Sequence, residues 1–216
     1  MQDTAAVQPS VGLSHKHSIL PKKLVVIGSS VGGKMALSQI LPRFPEFFSG
    51  AIIISQKMRP GFTKLLAQHL NSESEMIVRE AENHNPVYPG AALVCPGFAE
   101  CTLRFNENWS EHPLTILVSE FNESSKKSSL GPIDAIMMSA AQAYGEKVIG
   151  IMLTGIGRDG CEGMRAIREH RGFTIAQESS TCTVTDAPRM ITELGLANET
   201  LPLWQIADRI MELVGE

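Results

Sequence analysis

The stretch LVVIGSSVGG, residues 24–33, decides the fold that this sequence predicts. Its apolar start, residues 24–28, is the continuous run expected of a strand that is buried on both faces of a sheet. The serines and glycines that follow favour a tight turn, and a helical pattern begins directly after them. A strand, a Gly-rich turn and a helix in this order are typical of the first unit of an open α/β sheet.

The same strand-then-helix order repeats along the chain and predicts an α/β fold. We expect a doubly wound, mainly parallel sheet between two layers of helices, which is a Rossmann-like three-layer arrangement. The predicted strands lie at 24–28, 51–55, 148–153 and 173–177, and the predicted helices at 32–43, 61–71, 132–144, 160–170, 186–194 and 202–214.

Four short segments in the middle of the chain interrupt this alternation. They are separated by Asn, Pro and Gly, so we expect antiparallel hairpins at one edge of the sheet. A polar stretch at 119–132 has no apolar face to bury, which predicts an exposed loop. The four segments are 76–79, 91–95, 101–105 and 114–118.

Composition and charge limit the classes of protein to consider. With 216 residues, 43% of them hydrophobic, the chain can bury a full-sized core. The formal net charge of -4 shows no global basic excess, so we expect no nucleic-acid partner. No apolar run reaches the roughly 20 residues that cross a bilayer, so we expect a cytoplasmic protein without membrane insertion. Residues 1–21 are polar and predict a flexible N-terminal arm before one domain at 22–216.

Two interpretations compete for the Gly-rich turn. The dinucleotide-binding pattern GxGxxG requires a glycine at position 30 and an acid at the end of the second strand, but the sequence has Ser30 and ends that strand with Ser-Gln-Lys. The nucleophile-elbow pattern GxSxG is satisfied by Gly28, Ser30 and Gly32. Such a turn exposes the serine Oγ beside a helix N-terminus, whose N–H groups stabilise a developing oxyanion. An incidental serine in a Gly-rich turn is the structural alternative.

A second Gly-rich loop, LTGIGRDG at 153–160, follows the predicted strand 148–153. Asp159 is the one carboxylate of this loop, and it would lie near the first loop because the carboxyl ends of parallel strands share one edge. We expect Asp159 to orient or charge-stabilise a partner from the first loop, to cap the helix that begins near Gly160, or to do both.

In combination, these motifs resemble the catalytic domain of CheB-type protein-glutamate methylesterases. The resemblance covers residues 24–194, and its specificity comes from the number and order of the motifs. They are Gly-Ser-Ser-Val-Gly-Gly at 28–33, Gln-Lys-Met-Arg-Pro-Gly-Phe-Thr at 56–63, Pro89-Gly90, Cys95-Pro96-Gly97, Pro132-Ile133-Asp134, and LTGIGRDG at 153–160 followed by Ala176-Gln177.

The resemblance implies a serine hydrolase that works without a cofactor or metal and removes methyl esters from glutamates. In many members it also deamidates glutamine. Ser30 falls on the family's nucleophile and Asp159 on its triad aspartate. The implied partners are the methylated cytoplasmic helices of chemoreceptors or a related signalling protein. The receiver domain that usually precedes this catalytic domain is not expected before Leu24, so a separate receiver-domain protein is a further candidate partner.

The family's general-base histidine falls on Lys57. A lysine accepts a proton only when its amine is neutral, and a carboxylate within about 4–6 Å favours the charged ammonium. We therefore expect Lys57, beside Asp159, to be a poor base and esterase activity to be severely reduced. The histidines elsewhere are expected to be surface or edge residues, and His84 is the least implausible of them as a substitute base. The alternative hypothesis is an inactive relative that binds receptors or signalling proteins, with Lys57 and Arg59 as cationic anchors for glutamates.

Overall fold

A sheet of seven parallel strands forms the centre of the structure, a computed structural model that describes residues 20–97, 99–106, 113–119 and 130–215. The strands in these ranges are β1 (Leu24–Ser29), β2 (Ala51–Gln56), β3 (Ile77–Glu80), β4 (Asn85–Pro86), β5 (Ala91–Val94), β6 (Glu100–Phe105), β7 (Leu114–Ser119), β8 (Val148–Met152), β9 (Phe173–Gln177) and β10 (Glu199–Leu201). The helices are α1 (Gly33–Ile40), α2 (Phe62–Glu73), α3 (Pro132–Tyr144), α4 (Cys161–Glu169), α5 (Asp186–Glu193) and α6 (Leu203–Val214).

Strand β1 lies in the middle of this sheet, whose order is β10-β9-β8-β1-β2-β5-β3. It pairs in parallel with β2 on one side and with β8 on the other. The chain moves outward from β1 first in one direction and later in the other, which makes the carboxyl end of β1 the topological switch point of the sheet.

Alternate residues of β1 enter two apolar cores on opposite faces of the sheet. Leu24 and Val26 belong to the core beneath α3, α4 and α5, whereas Val25 and Ile27 belong to the core beneath α1, α2 and α6. All four side chains have an exposure of 0%. Burial on both faces explains the unbroken apolar run in the sequence, and the predicted three-layer α/β fold is confirmed.

One edge of the main sheet contradicts the sequence prediction. Antiparallel hairpins are predicted for 76–79 and 91–95, but β3 and β5 extend the main sheet in parallel. Helix α2 makes the crossover from β2 to β3, and β5 then inserts between these two strands. The turn residues between β3 and β5 therefore do not form a hairpin, because they belong to a longer connection that contains β4.

The predicted hairpin at 101–105 and 114–118 is confirmed in its pairing, since β6 and β7 are antiparallel. Its position differs, because β6 and β7 form a separate three-stranded sheet in the order β4-β7-β6. Strand β6 packs against α3, where the Leu103 N–H donates a hydrogen bond to the Ser139 hydroxyl at 3.0 Å.

Strand β10 is missing from the sequence prediction. It pairs in parallel with β9 over only three residues, which is too short a segment to show a strand period. Residues 1–19 of the predicted arm lie outside the described ranges. Most of the predicted loop at 119–132 lies outside them as well. Within the described ranges, no helix combines the length and the apolar character that a bilayer span requires.

Asp134 connects α3 to the beginning of α4. Its Oδ1 accepts hydrogen bonds from the backbone N–H groups of Gly160 and Gly163, both at 2.8 Å. A helix N-terminus leaves such N–H groups without partners inside the helix. Burial raises the pKa of the Asp134 carboxyl above its ordinary value, while the two N–H groups act in the opposite direction.

Gly150 of β8 provides a first test of the fold, because a Cβ there would lie 2.6 Å from Ile167 Cδ1 and 3.0 Å from Met164 Sδ. We expect Gly150→Val to lower the free energy of unfolding by about 1–3 kcal/mol, since overpacking forces α4 away from the sheet. Urea denaturation measures the change. The control Ile77→Val, at an exposed strand position, should stay within about 0.5 kcal/mol of the wild type. Equal stability of the two variants would contradict close packing of α4 on β8.

Asp134 provides a second test, through the pH dependence of stability. Because its folded pKa is raised, its contribution to stability is full below the unfolded pKa of about 3.9 and is lost as the pH rises through the folded pKa. Asp134→Asn keeps an oxygen acceptor for Gly160 and Gly163 but does not ionise. We expect the stability of this variant relative to the wild type to increase between about pH 4 and about pH 7. Urea denaturation across this range tests it, and a constant difference would count against the raised pKa.

Candidate active site

Three loops meet at the carboxyl edge of the main sheet. Ser30 follows β1, Lys57 follows β2, and Asp159 lies in the loop after β8. Because β8, β1 and β2 are neighbours, the structure places all three residues at the same edge. Open α/β sheets bind their ligands at this edge, beside the switch point.

The turn at Ser30 is held by backbone hydrogen bonds and by close packing. The Ser30 N–H donates to the Thr154 carbonyl at 3.1 Å, and the Gly33 N–H donates to the Ser30 carbonyl at 3.0 Å. A Cβ at Gly155 would lie 2.8 Å from the Cβ of Ser30, so the loop after β8 has no room for a side chain at this position. Gly32 has a φ of 85°, in the left-handed region that favours glycine. Ser30 is therefore a half-buried residue on a sharp strand-to-helix turn.

Lys57 and Asp159 form an ion pair. Lys57 Nζ lies 3.5 Å from Asp159 Oδ2, and the exposed fractions of the two side chains are 35% and 8%. Asp159 Oδ1 accepts a hydrogen bond from the Asp134 N–H at 3.0 Å. Asp159 Oδ2 is buried and accepts no hydrogen bond from the described residues. The Lys57 ammonium therefore compensates a carboxylate oxygen that is otherwise unpaired.

Asp159 caps a helix, but not the one that the sequence suggests. Helix α4 begins after Gly160 without a side-chain capping bond, so the predicted cap on α4 is wrong. The carboxylate instead accepts from the first turn of α3, where the helix dipole favours a negative charge. Gly131 immediately precedes α3, and a Cβ there would overlap the Asp159 carboxyl group. The absence of a side chain at Gly131 therefore leaves the space that the Asp159 carboxylate occupies.

Ser30 and Lys57 are connected through a residue that sequence reasoning missed. No hydrogen bond joins the Ser30 hydroxyl to Lys57 among the contacts of the described residues. The side-chain amide of Gln56 instead donates to the carbonyls of both residues, at 2.8 Å and 3.1 Å. The signal in the sequence was the pair of polar residues, Ser55 and Gln56, that ends an otherwise apolar strand.

His84, the histidine considered as a substitute base, does not join this site. It lines a cavity of about 380 Å³ on the second sheet, together with Glu100 and Thr102 among others. Ser30, Lys57 and Asp159 do not line that cavity. In the described part of the chain, no three His, Cys, Asp or Glu side chains are grouped so that they could bind a metal ion.

Known proteins resemble this chain in both sequence and fold. The CheB methylesterase family model matches residues 25–210. A protein-glutamate methylesterase/protein-glutamine glutaminase of Symbiobacterium thermophilum is 37% identical over 222 residues, which cover 100% of this chain and 56% of that protein. The protein of the same name from Thermotoga maritima is 36% identical over 193 residues, or 89% of this chain and 54% of that one. The chain thus spans about half the length of these relatives.

The fold agrees with the sequence comparison. The crystal structure of the Thermotoga maritima CheB methylesterase catalytic domain matches with a TM-score of 0.80 and 34% sequence identity. The match covers 88% of this chain and 98% of the crystallised domain. Because the family model, the sequence comparison and the structure comparison agree, the resemblance inferred from the motifs is confirmed, and the chain belongs to the CheB methylesterase family.

Proposed function

We propose that this chain is a serine hydrolase domain that removes methyl esters from glutamates of signalling proteins, and that Lys57 severely reduces its activity. The names of the relatives indicate this reaction class and, with it, the deamidation of glutamine. The observation that carries the proposal is the ion pair between Lys57 and Asp159, at the positions where the family resemblance places a histidine and its aspartate. The proposed substrates are methylated helices of chemoreceptors or related signalling proteins, with a separate receiver-domain protein as a candidate regulator.

Ser30 is the proposed nucleophile. Its Oγ forms a bond to the ester carbonyl carbon, and methoxide leaves with a proton as methanol. Water then attacks the acyl-enzyme, which releases the glutamate and restores the Ser30 hydroxyl. Ser30 precedes α1, so the backbone N–H groups and the dipole at the start of this helix favour the negative charge that develops on the carbonyl oxygen.

The proton of the Ser30 hydroxyl is the difficulty in this reaction. A charged ammonium cannot accept a proton, and Lys57 contacts a carboxylate that is 8% exposed. Asp159 Oδ2 is buried and accepts no hydrogen bond from the described residues, so the Lys57 ammonium is the positive charge that faces it. The ion pair therefore stabilises the form of Lys57 that is unable to act as a base. The esterase activity that we expect to remain is the roughly 10³–10⁴-fold rate enhancement over water that an oxyanion hole and substrate binding provide alone.

Replacing Lys57 tests this explanation. We expect Lys57→His to release methanol from a methylated receptor fragment about 10²–10⁴-fold faster than the wild type, because a histidine beside Asp159 acts as a general base. Arg59→His places the same residue at a nearby exposed position and should not raise the rate. Ser30→Ala should abolish release in both the wild type and the Lys57→His background. Rapid release by the wild type that depends on Ser30 would overturn the reduced-activity part of the proposal.

A second candidate function is an inactive relative that binds unmodified glutamates. The observation that favours it is the exposure of Lys57 and Arg59 in the loop after β2. Carboxylates would be attracted to this edge, and the uncharged methyl esters would not.

Binding measurements separate this candidate from the enzyme. If the chain is a binder, unmodified receptor fragments should bind more tightly than methylated ones, and the difference should shrink as added salt screens the charges. Arg59→Gln should weaken binding. Arg171→Gln is the matched control, because Arg171 is exposed and precedes β9 at the opposite edge of the sheet. Equal affinity for the two forms at low salt would exclude the candidate.

A further inference from the structure

We propose that Gln56 is a positioning residue that holds the Ser30 turn and the Lys57 loop in one fixed arrangement. The inference rests on the proposed function, because it concerns how the two groups of that reaction are placed. Gln56 is the last residue of β2, and only 5% of its surface is exposed. It lies behind the proposed site and is not itself a group that would touch substrate.

The contacts of the Gln56 amide use both of its polar atoms. Nε2 donates to the Ser30 carbonyl at 2.8 Å and to the Lys57 carbonyl at 3.1 Å. Oε1 accepts from the Ser29 hydroxyl at 2.6 Å. A primary amide has two N–H donors, and here each goes to one of the two residues whose side chains must cooperate. The amide is therefore fully engaged in joining the two loops.

The position of these contacts explains why an amide is needed. The ladder between β1 and β2 ends at the pair Ser29 and Gln56, and the Lys57 N–H makes one further backbone bond to the Ser29 carbonyl at 2.9 Å. Beyond that point the two chains diverge into separate loops. The amide continues the connection by one residue on each side, as far as Ser30 and Lys57.

The absence of a side chain at Gly33 leaves the space that the Gln56 amide occupies. A Cβ at position 33 would overlap Gln56 Oε1 and would lie 2.7 Å from Ser29 Oγ. Any side chain at the first residue of α1 would therefore displace the amide. The Gly-rich motif that forms the Ser30 turn thus also forms the site in which Gln56 is held.

The chemistry of the amide limits what can replace it. A glutamate at position 56 would present only oxygen atoms to the two carbonyls, and an aliphatic side chain would leave both of them without this donor. Either change would free the Lys57 loop to move relative to Ser30. A displacement of about 1 Å between reacting groups is enough to lower a rate by about 10²-fold.

Acylation of Ser30 by p-nitrophenyl acetate tests the role kinetically. The serine Oγ takes the acetyl group, and p-nitrophenolate leaves. We expect Gln56→Met to slow acylation by about 10²-fold in the Lys57→His background and by less than about threefold in the Lys57→Ala background, where there is no base to position. Gln39→Met, an exposed Gln on α1, should change neither rate. An equal loss in both backgrounds would indicate general damage to the structure and would overturn the inference.

Crystal structures of the wild type and of Gln56→Met give a second measurement that needs no activity. We expect the Ser30 and Lys57 loops to separate in the variant, and Lys57 Nζ to leave the roughly 4 Å ion-pair range of Asp159, against 3.5 Å in the wild type. Unmoved loops would overturn the positioning role, whatever the rates. Separated loops without any Ser30-dependent acylation would instead overturn the proposed function and leave the positioning role standing.

Discussion

The parallel pairing of β1 with β2 and with β8 is the constraint on which the rest of the site depends. It puts the ends of three strands side by side, so that residues distant in the sequence emerge at one edge. The apolar side chains of β1 are divided between two cores, and a shift of its register would disturb both of them. The loops can therefore consist of glycines and polar residues, because the strands beneath them are fixed by buried contacts.

Helices α3 and α4 hold the Asp159 side of this edge by an exchange of capping bonds. The Asp134 carboxyl group accepts from the start of α4, while the Asp134 N–H donates to Asp159 in the loop that leads into α4. One residue thus anchors the helix and orients the carboxylate. The ion pair with Lys57 adds a contact to the same carboxylate from the loop after β2.

The sequence predicts well what depends on local pattern. The run at 24–28 predicts a strand buried on both faces, and Gly28, Ser30 and Gly32 predict the sharp turn. The sequence does not predict which strands pair, because the turn residues around 76–95 do not reveal that β5 inserts between β2 and β3. The roles of Gln56 and Gly131 were also out of reach. Each depends on contacts made in the folded chain. The polar end of β2 is a signal for Gln56, but it does not indicate which groups the amide contacts.

The buried oxygen of Asp159 has a consequence for how this chain could have changed over time. At position 57, a side chain that donates a hydrogen bond or carries a positive charge can pair with this carboxylate, whereas an aliphatic side chain would leave its buried oxygen without a partner. Position 57 is therefore not free to take any side chain while Asp159 is present. Substitutions at positions 57 and 159 are therefore expected to be coupled, because a change at one position alters which side chains the other can accept.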